Sequence, residues 1–512
     1  MAEVLRKESS LTTRAAWIVS ARTVAFILSF ALPLLLVRRL DQTSFGLYKQ
    51  VFLIVGTAVN VLPLGFHMSA FYFLPREAAR RGAVVFNILI FHLVVGGAAC
   101  LAFVLRPGLI GWLFPGSSEL VAYAPALGLL LFLWVISSFL EGIAMANQDT
   151  KTATIFIVSM QLTRTLLLLM AALAFASVPA IIYAAIIQGA LQTIVLVVYL
   201  SLRFEGFGRS LDPSLMRAQL AYALPLGAAG FLYTMQMDLH NYFVSNRFDA
   251  AAFAIYAVGC FNLPLIHILS DSVGSVMIPR VAELQKRGER REIVVLISRM
   301  MRKLATAYFA IYAFLVVMGR EFIIVLFREQ YLASWPVFAI NLAMIPLGII
   351  ATAYDPVIRA YPEQRFFLLR VRAVVLGALS VALWLWTERI GLVGVISLVV
   401  ATNLVERAIV AVRCGKVLGA TRGDVHLFKD VGKLACAALC AALATALLRS
   451  FIVEAVPPFL ALTICGVCFA SIYLAAILLL RILSPEERDG IGRVLTRLQR
   501  RTHWRRAAND VV

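Results

Sequence analysis

Hydrophobic positions along this chain gather into long runs separated by short polar turns, the pattern of helices that each cross a bilayer with about 20 apolar residues. Fourteen runs are predicted, at residues 15–37, 45–74, 83–105, 120–146, 152–176, 179–201, 218–246, 250–278, 304–327, 335–360, 366–387, 391–413, 430–449 and 457–482. The expected fold class is therefore all-α, a polytopic membrane protein of about fourteen transmembrane helices. The first run sets the chemical question. Arg22 lies roughly 12 Å along the helix from Arg14, too deep to snorkel easily from a helix end. Placing arginine there costs on the order of 2.5 to 3.5 kcal/mol on insertion scales, so a wet cavity or a partner is expected beside it; a packed or snorkelling arginine is the structural alternative.

Composition sharpens this picture. Of 512 residues 61% are hydrophobic and 15% charged, and mean hydropathy is +0.88, which excludes an ordinary soluble protein. A net charge of +19 raises the question of nucleic acid, but the basic residues are spread over the loops, and membrane orientation accounts for them. With a cytoplasmic N-terminus, and residues near a span end counted with its loop, 35 Lys and Arg fall inside, 9 outside and 3 within spans, the last being Arg22, Arg164 and Arg407. Both termini are thus expected in the cytoplasm. Residues 1–14 are short and basic, but the following run is too long for a signal-peptide core and is expected to remain as the first span. The seven cysteines mostly occupy apolar runs and read as small hydrophobes. Cys465 and Cys468, and Cys436 and Cys440, have metal-like spacing without a nearby His or acidic partner, so neither metal nor cofactor is expected.

A faint internal repeat divides the chain. Tyr48 and Tyr256 each begin a long run ending in a Pro-Arg step, Pro75-Arg76 and Pro279-Arg280, and a basic stretch closes at Arg81-Gly82 and Arg287-Gly288. Parallel halves of six spans, with two spans added, would place a site at their interface. The resulting segments are a cytoplasmic N-terminus (1–14), an N-lobe (15–201), a linker (202–217), a C-lobe (218–413), a final span pair (414–482) and a basic amphipathic cytoplasmic tail (483–512). That last pair has almost no ionisable residue inside it and is expected to face lipid or a lipid tail. Residues 282–303 and 485–506 read as basic helices lying on anionic headgroups.

Polar residues inside spans mark candidate sites. In the first half Asn60 and His67 are seven apart on one predicted face, Gln161 and Arg164 three apart, and Gln188 and Gln192 four apart, so with Arg22 they are candidates to line one cavity. Amides and arginines suit a substrate bearing hydroxyls and phosphate, because an amide donates and accepts while arginine presents a planar fork. Interhelical hydrogen bonding is the alternative for each amide. In the second half Asp238 and His240, and His267 and Asp271, are candidates for ion coupling or proton relay. Glu406 and Arg407 point different ways and need separate partners, Arg164 or Arg22 being conceivable ones for Glu406. Glu141 is placed near the cytoplasmic end of its span and reads as interfacial. The longest outside connection, 106–119, holds one carboxylate, Glu119, and no histidine, which argues against a membrane polymerase or glycosyltransferase. No enzyme activity is expected.

The decapeptide Arg39-Leu40-Asp41-Gln42-Thr43-Ser44-Phe45-Gly46-Leu47-Tyr48 resembles the polysaccharide biosynthesis transporters, the O-antigen and exopolysaccharide flippases. The resemblance continues through Leu224-Pro225-Leu226 and Asp238, Ala254-Ile255-Tyr256, and Leu326-Phe327 to Tyr331 and Ala333, and covers most of 12–484. Ala254 and Arg328 stand where the family usually has glycine, and His240 follows Asp238 at a distance of two where a basic residue is common. The resemblance implies the multidrug, oligosaccharidyl-lipid and polysaccharide exporter superfamily, with two six-helix lobes around a central V-shaped cavity opening alternately to each side. It further implies transfer of an undecaprenyl-pyrophosphate-linked oligosaccharide to the periplasmic leaflet of a bacterial inner membrane, with membrane lipids as surroundings and a polysaccharide polymerase as a candidate partner. A lipid II flippase, a cation-coupled drug exporter and a membrane polysaccharide polymerase are the competing readings.

Overall fold

A computed structural model describes residues 2–209 and 211–482. Among these residues the regular elements are all helical: nineteen α-helices, five 3₁₀ segments and no strand. In chain order they are α1 (Ala2–Leu36), α2 (Gln42–Val61), α3 (Ser69–Arg76), α4 (Arg81–Leu105), α5 (Gly108–Leu113), α6 (Glu119–Ala122), α7 (Ala124–Ser137), α8 (Leu140–Ala146), α9 (Thr150–Phe175) and α10 (Val178–Arg203). The remainder are α11 (Pro213–Arg247), α12 (Ala250–Gly259), α13 (Pro264–Lys286), α14 (Arg290–Phe327), α15 (Trp335–Asn341), α16 (Met344–Ala360), α17 (Arg365–Leu418), α18 (Lys429–Ile452) and α19 (Pro458–Leu479).

Eleven helices among the described residues are long and apolar enough to cross a membrane, against about fourteen expected from hydropathy. Three differences account for the gap. Of α1 only Ser20–Leu36 enters the count, as a shorter apolar helix, α11 is not among the eleven, and Phe366–Leu418 counts once although it has 53 residues. That last helix is interrupted at Gly391, whose φ of 62° lies outside helical backbone.

Two predicted spans turn out to be broken. α2 stops at Val61, Pro63 removes a backbone donor, and Leu64 and Gly65 adopt φ of 48° and 65° before the chain resumes at the 3₁₀ turn Phe66–Met68 and α3. Likewise α12 ends at Gly259 and α13 begins at Pro264. Hydropathy runs unbroken through both places because it records transfer from water and not backbone dihedrals. The break corrects one expectation: Asn60 and His67 do not share a continuous helical face.

Both broken helices begin alike. Asp41 Oδ1 accepts from the Ser44 N–H at 3.1 Å to cap α2, and Asp249 Oδ1 accepts from the Ala252 N–H at 2.7 Å to cap α12. The cap residues have φ, ψ of −69°, 172° and −71°, 170°, and Phe45, Tyr48, Phe253 and Tyr256 four and seven residues on are all buried. The internal repeat therefore falls on equivalent elements. At Gly46 an added side-chain carbon would fall 1.8 Å from Ala250 O, so the start of α2 lies directly on the start of α12. Gly46→Val is expected to prevent this approach and sharply reduce the yield of folded protein, measured by size exclusion and melting temperature. Gly56→Val in the same helix, where an added carbon meets nothing within 4 Å, serves as the control; equal yields for the two variants would contradict the contact.

The chain forms two compact units, one of Met1–Pro264, Ile323–Asn341 and Glu363–Glu406, the other of Leu265–Phe322, Leu342–Pro362 and Arg407–Val512. In the first, Phe66, Phe73, Ile88, Phe139, Ile143 and Leu200 belong to one apolar core. Beside it Asn87 Nδ2 donates to Gln219 Oε1 at 3.0 Å and Gln219 Nε2 to Ser69 Oγ at 3.2 Å, so these buried amides have partners. Asp212 starts α11 by accepting from Leu215 N–H at 3.0 Å; the Ser214 hydroxyl, then this N–H, then Arg80 hold its carboxyl below the usual range. In the second unit, Met318, Ala461 and Cys465 pack together, and Arg449 Nη2 lies 2.6 Å from Glu321 Oε1. Residues 282–303 are not a separate surface helix: they comprise the end of α13, a turn at Gly288 with φ 75°, and the first turns of α14. The tail helix expected at 485–506 lies outside the described residues.

Candidate functional site

A cavity of about 310 Å³ opens within the first unit, lined from α1, α2, α7, α8, α9 and α10. Its polar lining is Ser137, Ser138, Glu141, Gln161, Arg164, Gln188 and Gln192. Four of the sequence-derived candidates thus meet at one place, Gln161 and Arg164 from α9, Gln188 and Gln192 from α10.

Arg164 is the centre of the group. Asp149 caps α9 by accepting from Thr152 N–H at 3.3 Å, and Arg164 follows near the middle of this helix. Its guanidinium carbon sits 4.4 Å from the Trp134 ring centroid and 5.4 Å from that of Phe52. Trp134 is itself held: its Nε1–H donates to Ala185 O at 3.0 Å, and it passes so close to α10 that a carbon added at Gly189 would fall 2.7 Å from Cδ1. Aromatic faces stabilise the cation electrostatically while using none of its N–H donors. Arg164 Nε is buried without a hydrogen-bond partner, and among the described residues no carboxylate pairs with this arginine. The fork is left able to receive an anion.

The amides are arranged around it. Gln161 Nε2 donates to Thr165 Oγ1 at 3.3 Å, Gln188 Nε2 to Gln192 Oε1 at 2.9 Å, and Gln192 Nε2 to Ser137 O at 3.4 Å. Gln188 Oε1 is buried with no partner, an acceptor still to be satisfied. Such a set can bind an anion and donate to or accept from hydroxyls.

Arg22 reaches this cavity indirectly. Its Nη2 lies 2.7 Å from Glu141 Oε1, and Glu141 is a lining residue. Glu141 and Trp134 are the features the sequence reading did not place here. Glu141 is 119 residues from Arg22 and no spacing rule connects them; a carboxylate inside an apolar run was the available signal.

The other candidates lie elsewhere. Asn60 is exposed and donates to Gly56 O at 2.9 Å, within its own helix. His67 lies past the break in α2, 6.2 Å ring to ring from His92, with its Nδ1 buried and unpartnered. Neither lines the cavity. Asp238 accepts from Thr57 Oγ1 at 3.4 Å and His240 Nδ1 is 2.8 Å from Tyr256 Oη, so this pair engages two different helices. His267 and Asp271 share one face of α13, both exposed, in the second unit. Glu406 is bonded to Gln236 and lies 3.3 Å from Arg372 Nε, which supplies partners other than Arg22 and Arg164. The seven cysteines are free thiols, and no group of three metal-ligating side chains occurs among the described residues.

Residues 35–336 match the sequence pattern of the family described as polysaccharide biosynthesis protein, more than half of the chain. The chain belongs to this family. Arg164, Trp134, Glu141 and the cavity amides all fall inside the matched region, whereas Arg22 precedes it. No curated protein matches the sequence. Among solved structures, the lipid II flippase MurJ in an inward closed conformation superposes with a TM-score of 0.67 at 12% identity, covering 91% of this chain and 98% of MurJ. A multidrug resistance MATE family transporter of the MOP superfamily, inward-facing, gives 0.60 at 14% identity over 77% of this chain and 94% of the transporter. A MOP superfamily transporter from Pyrococcus furiosus gives 0.52 at 14% identity over 80% and 95%. This family member is therefore a multi-pass membrane protein with the fold shared by MurJ and MATE transporters.

Proposed function

We propose that the protein is a flippase that moves an undecaprenyl-pyrophosphate-linked oligosaccharide repeat unit from the cytoplasmic to the periplasmic leaflet of a bacterial inner membrane by alternating access. The observation that carries this reading is Arg164, a cation without a carboxylate partner among the described residues, lying over Trp134 in a cavity whose remaining polar lining is mostly amide and hydroxyl. Arginine paired with a planar or tetrahedral oxyanion is the strong bidentate case, and amides beside it match sugar hydroxyls. The cavity volume, about 310 Å³, is at the small end of ligand sites, which span roughly 300 to 1,000 Å³, so it suits a pyrophosphate with its first sugar while the polyprenyl chain stays in lipid. Family membership in polysaccharide biosynthesis supports a saccharide cargo. Drug export would favour an acidic cavity, and here the one lining carboxylate, Glu141, is already paired with an arginine.

Outward movement of two negative charges across an inside-negative membrane releases about 2.3 kcal/mol per charge per 100 mV, close to 5 kcal/mol in all, without ATP. In proteoliposomes the rate at which a lipid-linked oligosaccharide becomes accessible in the opposite leaflet is expected to rise with such a potential, with no covalent change in the lipid. A rate indifferent to potential would remove the electrogenic step. The likeness to MurJ favours lipid II as the second reading; preferential transfer of lipid II in the same assay would select it.

A further inference from the structure

The arginines Arg22 and Arg164 of the first unit stand in different states. Among the described residues Arg164 has no carboxylate partner, whereas Arg22 Nη2 holds Glu141 Oε1 at 2.7 Å and approaches Met145 Sδ at 3.8 Å, both on α8. The side chains of Arg22 and Glu141 retain 59% and 41% exposure. Two other ion pairs on the helices are much more enclosed, Arg372–Glu406 at 19% and 1% and Arg449–Glu321 at 28% and 7%. Enclosed pairs resist separation because a buried charge is left behind, while a pair that the surrounding protein leaves uncovered can be reached by an incoming anion. Arg22–Glu141 is thus the less enclosed pair, and Glu141 lines the same cavity as Arg164.

A carboxylate oxygen held by a guanidinium occupies the position that a phosphate oxygen takes in an arginine-phosphate pair. Resting on the flippase reading, we propose that Glu141 is a resident stand-in for the substrate's anionic headgroup. In the empty protein it holds Arg22; an arriving diphosphate engages Arg164 first, displaces Glu141 from Arg22 and is then shared by both arginines. On release the carboxylate returns to Arg22 and competes the headgroup off. The exchange involves no bond formation and no proton transfer. Its consequence is that Glu141 weakens binding in order to speed turnover, the opposite of a residue that contacts cargo favourably.

The test is binding of undecaprenyl pyrophosphate to the full-length protein in nanodiscs, paired with leaflet transfer in proteoliposomes. Glu141→Gln is expected to bind the diphosphate about fivefold more tightly, the scale of an exposed charge pair, and to turn over more slowly. Glu141→Ala, with no side-chain acceptor at all, should show the same direction and guards against an effect special to the amide. In an Arg22→Ala background the Gln substitution should confer no gain, because the arginine it would release is gone. Wild-type binding with no tightening in either Glu141 variant overturns the stand-in role and leaves the flippase reading standing. Absence of saturable diphosphate binding in wild type and variants overturns the headgroup reading and the stand-in role with it.

Discussion

Arg164→Ala is expected to lower leaflet transfer by two to three orders of magnitude while leaving the melting temperature unchanged or slightly raised. The two halves of this result have one cause. A hydrogen bond to a charged group is worth about 1.5 to 3 kcal/mol, so loss of a two-pronged contact to pyrophosphate removes on the order of 3 to 5 kcal/mol of binding. Among the described residues the same guanidinium has no carboxylate partner, and its half-buried charge lies over the Trp134 and Phe52 rings. Removing it relieves a desolvation cost, so stability is not expected to fall with function. Arg164→Lys retains the charge but gives up the planar fork and much of the stacking on Trp134, and an intermediate rate is expected. Proteoliposome transfer alongside thermal melting checks both signs, and wild-type transfer by Arg164→Ala would take this residue out of the site.

Arg372→Ala is expected to show the reverse pattern, a large loss of stability of about 3 to 5 kcal/mol, because it strands a carboxylate that is 1% exposed. Glu406 would keep Gln236 as a hydrogen-bond donor but lose its counter-charge. Removing both charges together changes the outcome. Arg372→Met with Glu406→Leu is expected to recover most of the stability, since apolar groups of similar volume in place of a buried pair are often neutral or stabilising. Melting curves of the two singles and the double measure the coupling, and a single Arg372→Ala variant as stable as wild type would show that Glu406 is adequately solvated without it. The contrast with Arg22–Glu141 is one of enclosure: one pair lies within the kinked α17, on either side of Gly391, with Gln236 of α11 bonded to its carboxylate, while the other joins α1 to α8 and is far less enclosed.

Much of the membrane architecture was legible in the order of residues. Runs of apolar side chains locate helices because transfer from water depends chiefly on local composition, and the Asp41 and Asp249 caps are local too, each side chain reaching an N–H three residues ahead. The candidate amides and Arg164 were legible for the same reason, since the cost of placing them in a membrane is visible from sequence alone. The breaks at 62–65 and 260–263 were not, because apolar residues continue through them while the backbone turns at Leu64 and Gly65.

What the sequence by itself determined is which side chains are costly to bury and which segments are helical, quantities set by a residue and its near neighbours. Only the tertiary structure decided what each costly group meets. It placed Trp134 beneath Arg164, gave Glu141 to Arg22 across 119 positions, and supplied Glu406 with Gln236 and Arg372. The physical reason is that a side chain's charge is carried along the chain, whereas its counter-charge is chosen by where helices distant in sequence cross. Beside this cavity that choice sets one arginine over aromatic rings and pairs the other with a carboxylate.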